Sequence, residues 1–246
     1  SHRGPDYSGV YLDNNLSLGH VLLSIRGSID ISKQPYLKKN SDWVLLFNGQ
    51  IYNTLEIVKE HLHNQAETTM LDTELIYKLI QKYGWNFISK IQGMFSIALY
   101  NKSENVLRLY RDASGQKNLY YYFNGSKLIF SSEIKSILTH NIDKSASKNS
   151  IEISCTIGYI PGANTLFKDI YKLLPSEVIS YDLNSRQLLK GFYKSTFTDT
   201  FDSETILSRV VGDHLQSQHK VSLNLSGGLD SSLILHEASK LNYNLD

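Results

Sequence analysis

The chain alternates between short apolar runs at strand spacing and longer stretches at helical spacing. Residues 42–47, DWVLLF, read as a buried strand running into NGQIYN (48–53), where Asn48 and Gly49 suit a tight turn. LEIVKEHL (55–62) predicts a short helix. From Asp72, DTELIYKLIQKYG places Leu75, Ile76, Leu79 and Ile80 on one helical face, with Asp72 or Thr73 as N-cap and Gly84 as the stop. MFSIALY (94–100) then puts Phe95, Ile97 and Leu99 on one side of a strand. NVLRLYRD, NLYYYF and KLIFSS follow as strands close enough to pair antiparallel. SEIKSIL (132–138) is a short helix, 141–150 a polar connection, and EVISYDL with QLLKGFY a hairpin around NSR (184–186).

The pattern changes after that hairpin. SETILSRVVGDHLQSQ (203–218) reads as an amphipathic helix with Ser203 as N-cap and Ile206, Leu207, Val210, Val211 and Leu215 inward. VSLNL (221–225) predicts an apolar strand, followed by a glycine turn and a second helix, SSLILHEASKL. This is a parallel β-turn-α unit, unlike the meander before it. The expected organisation is a first domain over 1–192, a linker over 193–202 and the start of a second domain over 203–246. Internal repeats and low-complexity segments are absent from the sequence.

Composition narrows the classes of function. The chain is 41% hydrophobic and 20% charged, and no apolar run approaches the roughly 18 residues that would span a bilayer, so a soluble protein is expected. A net charge of +1 carries no surplus for nucleic acid or a membrane surface. The run Tyr120–Phe123 therefore fits a two-sided strand better than a base-stacking platform. One cysteine, Cys155, excludes an internal disulfide, fits a reducing, cytoplasmic location, and reads as a small buried hydrophobe in a late strand or loop. His20, within an apolar strand, reads as a core histidine rather than a base. His61 and His63, two apart on a helix, cannot face one metal together, and no zinc pattern is present.

The strongest chemical signal is LSGGLDSS, residues 225–232. Gly227 and Gly228 allow a sharp turn and close approach of a ligand. Amides there and at the following helix start favour an anion, and Ser226, Ser231 and Ser232 add hydroxyl donors. Asp230 beside a phosphate site makes sense where Mg²⁺ bridges the two. The loop lacks the lysine of a Walker motif and the spacing of a dinucleotide turn. A helix cap after a strand is the plain alternative.

With its flanking strand and helix, SGGLDSS resembles the pyrophosphatase loop of N-type ATP pyrophosphatases. HRGPD (2–6), NGQIYN (48–53), GMFSIALY (93–100) and RDASGQKNLYY (111–121) resemble the glutaminase domain of class II glutamine amidotransferases. SSEIKSIL (131–138) and IPGANTLFKDIYKLLPSE (160–177) resemble later stretches of the same proteins. In that order the two halves are similar to glutamine-hydrolysing asparagine synthetase. The resemblance implies an α+β first domain, an Ntn-hydrolase-like αββα sandwich, followed by the first β-α unit of an α/β ATP-pyrophosphatase domain. It implies glutamine, aspartate and ATP as substrates, Mg²⁺ as cofactor, a β-aspartyl-AMP intermediate, and a homodimer, the family often being dimeric. It also implies a chain cut at both ends: the family's nucleophile is a processed N-terminal cysteine, and its acceptor pocket lies beyond the ATP loop. This piece alone is expected to be inactive toward glutamine.

Residue by residue, the resemblance makes Asn48 and Gly49 the oxyanion donors and Asp72 the holder of the glutamine α-amino group. Leu225, Ser226, Gly227, Gly228, Asp230, Ser231 and Ser232 become the ATP site, with Asp230 as metal ligand. Arg3, Gly4 and Asp6 resemble the loop beside the nucleophile. Two departures stand out: Gln50 occupies a position that is usually acidic, and Leu22 occupies that of the arginine clamping the glutamine carboxylate. Either Arg26 supplies that charge, or glutamine is bound poorly and free ammonia is used. Open alternatives are an amidotransferase or β-lactam-type synthetase acting on another carboxylate, and a non-catalytic homologue.

Overall fold

The computed structural model describes residues 2–25, 28–62, 71–196, 202–215 and 220–243. In chain order the elements are β1 (Tyr7–Asp13), β2 (Leu16–Leu22), α1 (Ile29–Ser32), β3 (Trp43–Ile51), α2 (Thr54–His61), α3 (Asp72–Tyr83), a 3₁₀ turn (Trp85–Lys90), β4 (Gly93–Asn101), β5 (Val106–Arg111), β6 (Tyr120–Phe123) and β7 (Leu128–Ser131). There follow α4 (Ile134–Ile137), α5 (Lys148–Ile157), β8 (Ile170–Lys172), β9 (Glu177–Asp182), β10 (Leu188–Phe192), α6 (Ser203–Leu215) and α7 (Leu229–Lys240). Two compact units result: Gly9–His20 with Gln34–Ser195, and Ser1–Ser8 with Val21–Lys33 and Thr196–Asp246.

The larger unit is built on a five-stranded sheet of order β10-β9-β5-β4-β3, antiparallel throughout. β4 lies inside it, and its two faces enter different cores. Phe95, Ile97 and Leu99 pack with Leu75, Ile76, Leu79 and Ile80 of α3, whereas Ala98 and Tyr100 pack with Leu119, Tyr121 and Leu173. A three-stranded sheet, β7-β6-β8, covers that second face. Tyr121 points into the inter-sheet core and its neighbour Tyr122 into a third cluster with Ile137 and Ile170, so the tyrosine run is a two-sided strand. The layers are helix, sheet, sheet and helix, as period-two alternation requires when both faces of a sheet are buried.

Several expectations are corrected. NGQIYN does not turn at Asn48: β3 continues to Ile51, because the pairing of Asn48 with Ser96 and Ile51 with Gly93 extends the ladder. The polar connection over 141–150 ends in a helix, α5, capped by the Ser147 hydroxyl accepting from the Ser150 amide (3.3 Å). Cys155 lies on α5 and is exposed, not a buried residue of a strand.

In the smaller unit, Val211, Leu215 and Ala238 join α6 to α7, while Val210 is exposed. The cap of α6 is Asp202 rather than Ser203, its carboxylate accepting from the Thr205 amide (2.9 Å) and hydroxyl (3.0 Å). Residues 221–225 form no strand, since a strand exists only as a paired ladder and no described residue pairs with them. No helix among the described residues is long and apolar enough to cross a membrane.

Candidate functional site

β3 is the edge of the large sheet, so every second backbone amide on it faces away from β4. The chain closes this edge piecemeal. Leu45 exchanges two backbone bonds with Tyr36 (2.9 and 2.8 Å). The Phe47 amide donates to Gln34 Oε1 (2.6 Å), and Gln34 Nε2 donates back to the Phe47 carbonyl (3.0 Å). The Ile51 amide donates to Asp72 Oδ2 (2.9 Å). Alternation turns the Gly49 amide to the same edge, between these closures, and it has no protein acceptor among the described residues.

Asn48, Gly49 and Gln50 are all half-buried there. Gly49 is required by packing rather than by a turn: a Cβ on it would lie 2.1 Å from the Met94 carbonyl oxygen and 2.7 Å from Phe95 Cα. Asp72 sits in the first turn of α3, where the helix dipole favours its charge. It is not the N-cap; Leu71 occupies that position without a side-chain bond, and the Asp72 carboxylate is drawn to the β3 edge instead.

Two groups beneath this edge were not legible as such. Gln34 is 4% exposed and also reaches Thr73 Oγ1 (3.5 Å), so one carboxamide touches β3 and the start of α3. His20 hydrogen-bonds the Phe47 backbone, and burial holds its pKa below the ordinary 6.5. Its Nδ1 is buried without a partner among the described residues, so the ring is only half satisfied.

RDASGQKN is stapled by its first two residues, Arg111 and Asp112, both buried, while Ala113, Ser114, Gln116 and Asn118 are exposed. The Asp112 carboxylate accepts from the amides of Phe95 (3.2 Å), Ser114 (3.2 Å), Gln116 (2.9 Å) and Lys117 (2.9 Å). Arg111 donates to the carbonyls of Lys117 (3.0 Å), Leu173 and Gly115 and to Asn118 Oδ1 (2.8 Å). Burial lowers the Arg111 pKa, yet carbonyl acceptors on both faces of its fork satisfy the charge.

In the smaller unit, Gly227 adopts φ +78°, a conformation disfavoured for residues with a side chain, and lets the chain reverse into α7. Ser226 Oγ accepts from the Gly228 amide (3.3 Å) and lies 3.0 Å from Ser231 Oγ. Asp230 is in the first turn of α7, whose leading amides no side chain caps. Leu225, Ser226, Gly227, Gly228 and Asp230 are exposed, as is Ser232 to a large degree. The loop therefore presents free amides, hydroxyls and one carboxylate to solvent, a donor set that fits a phosphate with a hard divalent cation. No cluster of three or more His, Cys, Asp or Glu exists among the described residues, so such a cation would need phosphate oxygens as further ligands.

Also in this unit, Asp6 Oδ2 accepts from the Ser24 amide (2.7 Å), and Gly4 is buried where a Cβ would strike the Val21–Leu22 backbone at 2.4 Å. Arg3 is exposed and Leu22 buried. Arg26 and His63 lie outside the described residues.

Residues 1–193 match the family described as glutamine amidotransferase domain, and residues 203–244 match asparagine synthase. The chain is 30% identical to asparagine synthetase [glutamine-hydrolyzing] 1 of Bacillus subtilis, over 99% of this chain and 40% of that protein. It is 31% identical to asparagine synthetase B [glutamine-hydrolyzing] of Escherichia coli K12, over 95% and 39%. It is 28% identical to amidase chry2 of Gibberella zeae, over 98% and 38%. The chain thus spans about two fifths of the length of these relatives.

Proposed function

Because this chain belongs to the glutamine amidotransferase domain family, we propose that its residues 1–192 form the αββα glutaminase of a longer, ATP-dependent asparagine synthetase. Residues 203–246 are then the opening of the α/β synthetase domain, joined through 193–202. The observation that carries the reading is the interrupted β3 edge. Among the described residues Gly49 N–H is the outward amide of β3 left without an acceptor, and the neighbouring Asn48 carboxamide would add a second donor. Two preorganised donors in a partly enclosed site would stabilise the oxyanion of a tetrahedral intermediate, and donors of this kind are worth about 3 kcal/mol each in related chemistry.

Asp72 supports the same reading. Its charge, held at a helix N-terminus and anchored to the Ile51 amide, would receive the substrate ammonium. Gln50 contributes a neutral contact where a carboxylate would add a second charge. Cys155 is exposed on α5 and takes no role in this reading, in which the nucleophile would be supplied by the longer protein.

In the second domain, Ser226, Gly227, Gly228, Ser231 and Ser232 would hold the β- and γ-phosphates of ATP, with Asp230 reaching Mg²⁺. A carboxylate is a poor electrophile; adenylation gives it AMP as leaving group, and ammonia displaces it. The loop would bind the departing pyrophosphate, and aspartate would be the acceptor. A second reading, with another carboxylate as acceptor, has the likeness to the amidase as its support.

One assay on the full-length protein tests these together: AMP and pyrophosphate release with aspartate, using glutamine or ammonium as nitrogen donor. Release that requires aspartate, with either donor, is expected. Release that ignores aspartate but responds to another carboxylate supports the second reading, and no release with any acceptor overturns both.

A further inference from the structure

We propose that Gln34 is a positioning residue for the Gly49 oxyanion donor, acting through the backbone of Phe47; the proposal rests on the glutaminase reading above. The register makes the case. Tyr36 and Leu45 exchange both backbone bonds, so an antiparallel ladder continued along the edge would set residue 34 opposite 47 and residue 32 opposite 49. At 34 the backbone no longer pairs. The side-chain carboxamide does so in its place, offering one acceptor to the Phe47 amide and one donor to the Phe47 carbonyl.

At the next step the mimicry ends. Among the described residues nothing continues the ladder past Gln34, and the Gly49 amide has no protein acceptor. Gln34 thus does two things with one group: it terminates the edge pairing, and it fixes the strand two residues before the open amide. Because it is almost fully buried and has both functional atoms engaged, its carboxamide cannot rotate without losing a bond. Its second contact, with Thr73, ties the same clamp to the helix turn carrying Asp72. Gln34 thereby adds a tie between β3 and the start of α3 beside the direct bond from the Ile51 amide to Asp72. Had the backbone of residue 34 paired instead, the ladder would have run on and covered Gly49.

The oxyanion forms only in the transition state, whereas the ammonium contact exists in the ground state. Loosening the clamp should therefore lower kcat more than it raises KM. In the full-length protein, Gln34→Met, which keeps the length and removes both hydrogen bonds, is expected to reduce kcat for glutamine hydrolysis by about tenfold to a hundredfold, with KM for glutamine within about twofold. Hydrogen exchange over a peptide spanning 46–52 should quicken in the variant while the peptide around Leu99 is unchanged. If Gln34→Met yields no soluble protein, Gln34→Glu carries the test. It keeps an acceptor for the Phe47 amide but sets a carboxylate oxygen against the Phe47 carbonyl in place of the donor, so a loss of kcat at least as large, with the same split, is expected. Wild-type protein that releases no glutamate from glutamine overturns the glutaminase reading and this role with it. An active wild type beside a variant whose kcat stays within twofold, or whose loss lies wholly in KM, overturns the role of Gln34 alone.

Discussion

At His20, burial and hydrogen bonding pull in opposite directions. Burial favours the neutral ring and outweighs the bond to Phe47, which favours the charged one; the net pKa is lowered from 6.5. The unfolded chain therefore takes up a proton at a higher pH than the folded protein does. Stability from this residue is complete above about pH 6.5 and is lost as pH falls through the lowered value. Thermal midpoints measured from pH 7 to pH 5 should fall for the wild type and fall less for His20→Gln; equal slopes would remove His20 as the source. The same two-sided logic applies to Asp72, which the chain pattern marks as a cap. In the folded protein the Ile51 amide is a better partner, because that amide would otherwise be an unpaired edge group.

At the scale of elements, side chains repeatedly finish what backbone ladders begin. Gln34 extends the Tyr36–Leu45 bridge. Asn53 does the same beyond β3, accepting from the Gln92 amide (2.9 Å) and donating to the Lys90 carbonyl (3.0 Å). Asp112 ends β5 by gathering the amides of its own loop and that of Phe95 on β4. Asp112→Ala would remove the acceptor of four amides, of which that of Phe95 is on a buried residue, that of Lys117 on a half-buried one and those of Ser114 and Gln116 on exposed ones, and each donor left buried and unsatisfied costs about 1–3 kcal/mol. We expect a loss of about 3 kcal/mol or more by urea titration; a loss below about 1 kcal/mol would mean that water replaces the carboxylate. Helix α3 needs no such help. Its buried face supplies the stability and Gly84, at φ +74°, supplies the stop.

At the scale of the molecule, the two units differ in how far they satisfy themselves. The larger buries three clusters between its layers. The smaller joins α6 to α7 through few residues, buries Glu237 against Ser208 and Lys240, and leaves Leu229, Leu233, Ile234 and Leu235 of α7 exposed. Val221, Leu223 and Leu225 alternate with polar Ser222 and Asn224, and no described residue pairs with this segment. In a protein as long as its relatives, 221–225 should gain a parallel partner, and its amides should exchange more slowly there than in this chain. Equal exchange in the two would show that the segment is not a strand of the second domain. What the linear pattern determined is therefore what depends on neighbours within a turn or two: the faces of β4 and β6, the span of α3, the β9–β10 hairpin, and the glycine loop before α7. What only the tertiary structure decided are the features whose partners lie tens of residues away. The clamp by Gln34 and the recruitment of Asp72 arise because an edge strand must satisfy its outward amides, the opening at Gly49 is the amide that these partners leave, and the staple at Asp112 gathers the amides of its own loop and of Phe95. Which side chain meets each amide is set by the three-dimensional path of the chain, and local periodicity carries no record of it.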